Sequence, residues 1–373
     1  MAINSTSILG VRVDRVTMDD IRENVKKCFQ KKSILRKITS HPSLPDRVIL
    51  PIVTINPEFV VLSHNQPVFK KVINHSYLSV PDGIGIRLAG LLMRRNTGER
   101  VTGLNLMDEL TKIAAADNLT VGFLGGAHNA GLKTLDVFTQ RYPYLLAWSS
   151  EYPIVDISFD KKGEYSLSCK PDIHELYQIT SSSSLLAIRY SPENKRMSNT
   201  SEMRKANGEP SDSEYEQRTV NISLLDAISH TDILFVAFGA PKQELFIDSL
   251  ENLSTDQPID RSTTASFVHQ TSNFQTFPAK RDHAPRDKPS NFKPIVAVGV
   301  GGAFDEIAGI VPRCPVWIER IGFKWLFRLL TQPWRWRRQL RLVVFTLLLL
   351  RSVFPPFRAK KPYEKWQISI LED

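Results

Sequence analysis

Three polar residues that could bind a ligand or move a proton follow two short apolar runs in the first quarter of the chain. Thr54 and Asn56 end the run PIVTIN, and Asp82 follows SYLSVP. Each run predicts a strand that breaks into a loop and then a helix. Because ligands of open α/β sheets bind outside the carboxyl ends of the strands, we expect the three side chains to converge there.

Two interpretations of Asp82 are open at this point. An aspartate ahead of a helix can cap it, whereas Gly83 and Gly85 would let backbone approach a ligand beside a catalytic carboxylate. An unperturbed aspartate has a pKa of about 3.9, so Asp82 would be ionised and could accept a proton. A stronger base would require burial or nearby negative charge.

Three further strand-to-loop transitions carry glycine. Gly125 and Gly126 follow LTVGFL, a pattern whose backbone N–H groups could hold phosphate at a helix N-terminus; a tight structural turn is the alternative. The full G-x-G-x-x-G spacing is absent, so a dinucleotide site is not supported. Gln243 follows ILFVAFGA, and Asp305 follows VGVGG, where it could lie near a ribose or cap a helix.

The succession of strand and helix patterns predicts an α/β fold, a Rossmann-like sheet with helices on both faces. We assign residues 1–312 to this domain, with a first strand over 7–13 and a loop over 33–51. Polar composition over about 181–218 and 253–293 predicts two insertions outside the packed core. Residues 313–373 form a basic, aromatic-rich, helical C-terminal appendage.

The charge of this 373-residue chain, +9 overall, is concentrated in the appendage. Residues 313–365 hold 13 Lys and Arg against Glu319 and Glu364, which indicates an anionic partner. Interleaved tryptophan, leucine and phenylalanine favour an anionic membrane surface over nucleic acid, which we exclude as a partner. The longest apolar run is about half of the roughly 18 residues needed to span a bilayer, so a peripheral location on the cytoplasmic face of the membrane is expected.

Three widely spaced cysteines argue against a disulfide scaffold or a zinc ribbon and suit a reducing cytosol. No basic and apolar leader typical of a signal peptide begins the chain.

Six segments, in order and covering most of the chain outside the insertions, resemble the WecG/TagA/CpsF family of bacterial glycosyltransferases. They are TINPEFVVL, VPDGIGIRLAG, RVTGLNLMDEL, VGFLGG, ILFVAFGAPKQE and the segment that begins VGVGGAFDEIAG and ends at PWRWRR. The chain departs from the family at Cys314, where alanine is usual, and at Lys324, where glutamate is usual.

The resemblance implies inverting transfer of a hexosamine-type sugar from a UDP-sugar donor to a polyprenyl-diphosphate-linked saccharide acceptor in cell-surface polysaccharide synthesis. It implies Asp82 as the catalytic base and Thr54 and Asn56 as active-site polar residues. It also implies Arg100 and Gln243 in the pocket and Asp305 near the ribose.

Neutralising the departing diphosphate is the second chemical requirement of such a transfer. Since the core has no convincing Asp-x-Asp motif, we predict no metal and no cofactor, and assign this role to arginines of the appendage, which can bind phosphate in a bidentate manner. They are Arg313, Arg320 and Arg328, together with Arg335, Arg337 and Arg338.

Two other functions remain as alternatives: a nucleotide-dependent oxidoreductase or epimerase using the VGFLGG turn, and a non-catalytic membrane-bound assembly factor for polysaccharide. The sequence leaves the donor sugar, the acceptor and the formation of a homo-oligomer open.

Overall fold

A central sheet with helices on both faces organises the protein. The computed structural model describes residues 3–30, 47–150, 154–159, 165–170, 176–181, 215–220, 224–255, 293–333 and 336–354. The strands are β1 (Ser5–Ile8), β2 (Val11–Asp14), β3 (Arg47–Ile55), β4 (Leu78–Pro81), β5 (Thr120–Gly125), β6 (Leu146–Ser150), β7 (Ile154–Phe159), β8 (Tyr165–Lys170), β9 (Leu176–Ser181), β10 (Tyr215–Val220), β11 (Ile233–Ala237) and β12 (Lys293–Gly299).

The helices cover both faces of the sheet and continue into the C-terminal segment. They are α1 (Met18–Gln30), α2 (Pro57–Asn65), α3 (Pro67–His75), α4 (Ile84–Leu92), α5 (Gly103–Asp117), α6 (Ala130–Arg141), α7 (Leu224–Ser229), α8 (Lys242–Thr255), α9 (Ala303–Ile307), α10 (Val316–Arg320), α11 (Lys324–Thr331) and α12 (Trp336–Val353).

The central sheet, as far as the structure describes it, has the strand order β10-β9-β6-β5-β11-β12-β3-β4. The six strands from β6 to β4 run parallel, and β9 and β10 extend the β6 edge in antiparallel register. A parallel sheet flanked by helices confirms the predicted α/β class. Its carboxyl ends lie along one edge, where β3, β4, β11 and β12 are followed by polar and glycine-rich loops.

Alternating side chains of the central strands enter two separate cores. Phe235 and Val298 pack with α5, α6 and α9 on one face, whereas Leu234 and Ala297 pack with α7 and α8 on the other. This two-sided burial accounts for the nearly continuous apolar runs of these strands, as in other parallel sheets.

Helix α12 packs against the sheet domain. Its Phe345 and Leu349 are buried beside Phe59 and Val60 of α2. Arg341 of α12 also forms an ion pair with Glu58 at the start of α2. Helix α12 is therefore packed against the helix that begins at the carboxyl end of β3.

The structure differs from the sequence prediction at the first and third strands. Residues 7–13 do not form one strand, because Leu9 and Gly10 have φ of 51° and 86° and turn β1 back into the antiparallel β2. The predicted loop over 33–51 ends early, since β3 begins at Arg47. Arg47 is buried, donates to the carbonyl of Thr231 and pairs with Asp232 at 3.4 Å; a charged residue in the core concealed the strand.

The predicted insertion over 181–218 begins and ends in strand, because β9 and β10 pair from Tyr215 opposite Ser181 to Val220 opposite Leu176. Residues 182–214, and 256–292 within the second predicted insertion, lie outside the described residues.

Candidate active site

A cavity of about 270 Å³ lies at the carboxyl ends of β3, β4, β11 and β12. Its walls come from the loops that follow these strands, from the start of α5 and from the C-terminal helices α11 and α12. This is the place where open α/β sheets bind ligands.

The structure brings Thr54, Asn56 and Asp82 together in the lining of this cavity. Strand register explains the convergence. Ile55 lies opposite Pro81 in the parallel pair, so the residues that follow the two strands, Asn56 and Asp82, enter the cavity side by side. The backbone N–H of Asp82 donates to the carbonyl of Ile55 at 2.7 Å, which fixes the end of β4 against β3. Asn56 also caps α2, its Oδ1 accepting from the N–H of Phe59 at 3.0 Å.

Asp82 does not occupy the cap position of the helix that follows it. That position belongs to Gly83, whose φ of 87° suits glycine, and α4 begins at Ile84. Burial raises the pKa of the Asp82 carboxyl, and the positive charges of Lys324, Arg100 and Arg328 oppose that rise. The environment therefore provides the burial that a stronger carboxylate base requires.

Three cations of the C-terminal helices, Lys324, Arg328 and Arg338, line the same cavity as Asp82. Lys324 Nζ lies 3.0 Å from Glu306 Oε2, and Arg328 pairs with the same carboxylate. Glu306 is only 5% exposed, so a buried carboxylate in the wall of the cavity fixes the positions of both cations. Such positively charged groups are suited to binding phosphate.

Arg100 and Glu319 tie the sheet domain to α10. Arg100 Nη2 lies 2.5 Å from Glu319 Oε1, and Arg100 Nη1 donates to the Glu319 carbonyl at 3.3 Å. Lys324 Nζ is also within 3.7 Å of the Glu319 carboxylate. The charge of Arg100 lowers the pKa of Asp82, although Arg100 itself does not line the cavity.

Gln243 connects α8 with the glycine loop after β12. Its Oε1 accepts from the N–H of Gly301 at 3.0 Å, and its Nε2 donates to Glu244 Oε1 at 2.6 Å. A Cβ at Gly299 would lie 2.6 Å from Gln243 Nε2, so glycine is required there for the close approach. Gln243 and Gly301 both line the cavity.

Several other residues singled out from the sequence lie away from the described lining of the cavity. Gly125 and Gly126, with φ of 88° and 87°, form a turn packed against Phe238 and Phe304. Asp305 lies inside α9, and it is the next residue, Glu306, that lines the cavity.

The arginines of the appendage differ in where they lie. Arg313 Nε donates to the Glu306 carbonyl at 3.2 Å, outside the cavity lining. Arg335 lies outside the described residues, as do the side chains of Arg320 and Arg337.

In the described part of the chain, no group of three or more His, Cys, Asp and Glu side chains is placed to hold a metal ion. Each helix within the described ranges is too short or too polar to span a bilayer.

Comparison with known proteins identifies the family. A family model described as "Glycosyl transferase WecG/TagA/CpsF family" matches residues 6–164 and 280–359, more than half of the chain. The protein belongs to the WecG/TagA/CpsF glycosyltransferase family. The resemblance seen in the six sequence segments is therefore confirmed, and the chain is a glycosyltransferase.

Two relatives of this glycosyltransferase carry the name N-acetylglucosaminyldiphosphoundecaprenol N-acetyl-beta-D-mannosaminyltransferase. The protein from Bacillus subtilis (strain 168) is 23% identical over 301 residues, which cover 81% of this chain and 79% of the relative. The protein from Staphylococcus aureus (strain MRSA252) is 24% identical over 354 residues, covering 95% and 94%.

Sequence reasoning missed three carboxylates around the site of this glycosyltransferase. Glu58 and Glu306 line the cavity, and Glu319 reaches Arg100. Glu306 could have been noticed because it follows the last glycine loop directly after Asp305. The pairing of Glu319 with Arg100 leaves no local signal, since 219 positions separate the two residues.

Proposed function

We propose that this glycosyltransferase moves an N-acetylated hexosamine from a UDP-sugar to a polyprenyl-diphosphate-linked saccharide, with inversion at the anomeric carbon. The names of the relatives, which specify an N-acetylmannosaminyl group and a diphosphoundecaprenol acceptor, support this substrate class. One structural observation carries the proposal: Asp82 and the cations of the C-terminal helices line the same cavity.

In the proposed reaction Asp82 is the general base. Its carboxylate takes the proton from an acceptor hydroxyl as that oxygen forms a bond to the anomeric carbon of the donor. The bond from the anomeric carbon to the diphosphate oxygen breaks, and its electron pair leaves with UDP. The raised pKa of Asp82 makes its carboxylate a better proton acceptor than an exposed aspartate.

Lys324, Arg328 and Arg338 neutralise the charge that develops on the departing diphosphate. Fixed cations in a partly enclosed site stabilise such charge without reorganising during the reaction. Glu306 keeps Lys324 and Arg328 in place before the substrate arrives. We therefore propose transfer without a metal or other cofactor, and expect UDP release to persist in EDTA.

Thr54, Asn56 and Gln243 bind the donor in this proposal, with Gly301 allowing close approach of backbone. Arg100 acts through charge on Asp82, and the glycine turn at 125 and 126 supports the sheet beneath the site.

We also propose that the C-terminal helices dock on the cytoplasmic face of the membrane, where a lipid-linked acceptor is found. An apolar stripe on α12 supports this docking: Trp336, Leu340, Val343 and Leu347 recur at helical spacing and are 39–61% exposed. Arg351 of the same helix suits anionic headgroups, since a basic residue near such a surface contributes about 1 kcal/mol.

The decisive experiment measures UDP release from a panel of UDP-sugars with a short-chain lipid-diphosphate acceptor. Asp82→Asn keeps the shape of the side chain and removes the base, so its kcat should fall by roughly 100-fold to 10,000-fold. Asp117→Asn is the matched control, because this exposed carboxylate lies at the opposite end of α5 from the cavity.

Equal rates for wild type and Asp82→Asn would eliminate Asp82 as the base. A wild-type protein inactive with every UDP-sugar tested would instead favour a non-catalytic assembly factor.

A further inference from the structure

Helix α4 exposes an apolar face that neither the fold nor the cavity uses. Leu88, Leu91 and Leu92 are 50%, 74% and 47% exposed. The opposite face of α4 is buried through Ile86 and Ala89, so the helix is seated in the protein with its leucines outward. Surface helices normally present polar residues on this side, and a cluster of exposed leucines marks an interaction surface.

The charges around this leucine face are all positive in the local sequence. Arg87 lies on α4, Arg94 and Arg95 follow it, and no acidic residue occurs between Asp82 and Glu99. The three arginines are exposed, and Arg95 donates to the carbonyl of Ser7, which holds it beside the end of the helix. Leucines bordered by arginines match an anionic bilayer, whose headgroups attract the cations while its acyl boundary accepts the apolar side chains.

The leucine face also borders the C-terminal helices. A Cβ at Gly322 would lie 2.6 Å from Ile84 Cγ2, so the turn after α10 sits directly on the first residue of α4. Trp317 and Ile321, next to this turn, are 66% and 56% exposed. The start of α4 and the turn after α10 therefore meet, although they are far apart in the chain.

We propose that the face of α4 formed by Leu88, Leu91 and Leu92 is a second lipid-contacting surface, which binds anionic bilayers together with the C-terminal helices. The inference extends the proposed function, in which the acceptor is lipid-linked. Since α4 begins two residues after Asp82, docking of this face brings the catalytic carboxylate close to the bilayer surface at which an acceptor diphosphate lies.

A second copy of this chain is a weaker candidate for the occupant. Two such faces brought together would place Arg87, Arg94 and Arg95 of both copies at one contact, with no acidic partner in the local sequence. Like charges in an interface oppose association, whereas anionic lipid neutralises them.

The test uses the full chain and sedimentation with two kinds of vesicle, phosphatidylcholine alone and phosphatidylcholine mixed with phosphatidylglycerol. The double variant Leu88→Gln with Leu91→Gln preserves helix propensity and removes apolar contact. We expect its partition onto the mixed vesicles to weaken about tenfold or more, since two partly exposed leucines lose their burial in lipid.

Tyr144→Gln is the matched control, because Tyr144 is 71% exposed and precedes β6, at the edge of the sheet opposite the cavity. Its partition should equal that of wild type. Thermal unfolding of all three proteins verifies that the substitutions leave the fold intact.

Vesicle binding by the double variant equal to that of wild type would overturn the proposal. Sedimentation velocity without lipid gives a second way to reject it: loss of a dimer in the double variant, with vesicle binding retained, would make this face a contact between copies.

Activity separates this inference from the proposed function. UDP release with a water-soluble acceptor analogue should be the same in wild type and the double variant, since the leucines lie outside the cavity lining. If wild type binds vesicles through α4 but releases no UDP from any UDP-sugar, the proposed function fails and the lipid surface stands.

Discussion

Arg100 lies 2.5 Å from the carboxylate of Glu319, and this ion pair joins the loop before α5 to the first of the C-terminal helices. The side chains are 21% and 25% exposed, so the pair is partly shielded from solvent. Both charges also act on Asp82, where Arg100 lowers the pKa and Glu319 raises it. The pair therefore contributes to the attachment of the helices and to the electrostatics of the site.

A double-mutant cycle measures the strength of this attachment. For Arg100→Met and Glu319→Gln, we expect a coupling free energy of about 1 kcal/mol in urea unfolding, as for partly buried pairs in contact. The Arg141–Asp108 pair, 44% and 46% exposed, is the control and should give about 0.3 kcal/mol. Equal coupling in the two cycles would show that burial adds nothing to the Arg100 pair.

Lys324 is expected to influence the pKa of Asp82, the proposed base. Of the cations that lower the pKa of Asp82, Lys324 has the largest effect, so Lys324→Met should raise that pKa further. In the proposed reaction the ionised carboxylate of Asp82 is the active form, so the acidic limb of the pH profile of kcat/KM should then move to higher pH. Lys324→Arg retains the charge and should leave the limb near its original position.

The control for Lys324 is Lys112→Met, which removes a surface charge from α5. A profile that is the same in wild type and Lys324→Met would exclude an influence of Lys324 on the titration of Asp82.

Glu244 should make stability depend on pH. Burial raises its pKa from 4.5 to about 8, so between these values the folded protein holds a proton that the unfolded chain has released. Its contribution to stability is complete below the lower value and is lost as the pH rises, by roughly 1 kcal/mol per pH unit within the window.

Glu244→Gln removes this titration while leaving an acceptor for Gln243. Urea unfolding between about pH 5 and pH 8 should show that the variant loses less stability than wild type as the pH rises. Glu23→Gln, at an exposed position, should follow wild type. Parallel curves for Glu244→Gln and wild type would mean that Glu244 is ionised in the folded protein.

Arg47 should be essential for stability rather than for activity. Arg47→Met leaves Asp232 buried without its cation, and the loss of one partner from a buried pair typically costs about 3–5 kcal/mol. Arg22→Met, which removes a more exposed pair with Glu109, should cost much less in the same urea titration, because solvent screens that pair. Similar losses for both variants would argue against a special role for the buried pair.

Local patterns predicted the elements that end at the cavity. The β-branched runs before Asn56 and Asp82 identified β3 and β4, and the general rule for parallel sheets predicted that their ends would meet. A threonine followed by acidic residues is a local signal for a helix start, and Thr17 caps α1: its N–H donates to the Asp20 carboxylate at 2.8 Å, and the Asp20 N–H donates to Thr17 Oγ1 at 3.1 Å. In each case the signal lies within a few residues of the feature.

Contacts between distant segments could not be predicted in this way. The charge of Arg47 favours a loop when the sequence is considered locally. Burial of Arg47 becomes compatible with its charge only because Asp232, 185 positions away, pairs with it. The position of Lys324 beside Glu306 depends on the return of the C-terminal helices to the sheet. Hydrophobic periodicity indicates which face of a helix is apolar, but it does not indicate which element packs against that face.

The position of α12 has a consequence for how the protein could be shortened. Phe345 and Leu349 complete the interior beside Phe59, while Val343 and Leu347 of the same helix point outward. Proteolysis or deletion of the C-terminal helices would expose the apolar side chains that Phe345 and Leu349 cover, including Phe59. The remaining fragment should therefore aggregate instead of behaving as a lipid-free enzyme. In the docking proposed above, release from a bilayer must therefore occur with the helix still in place.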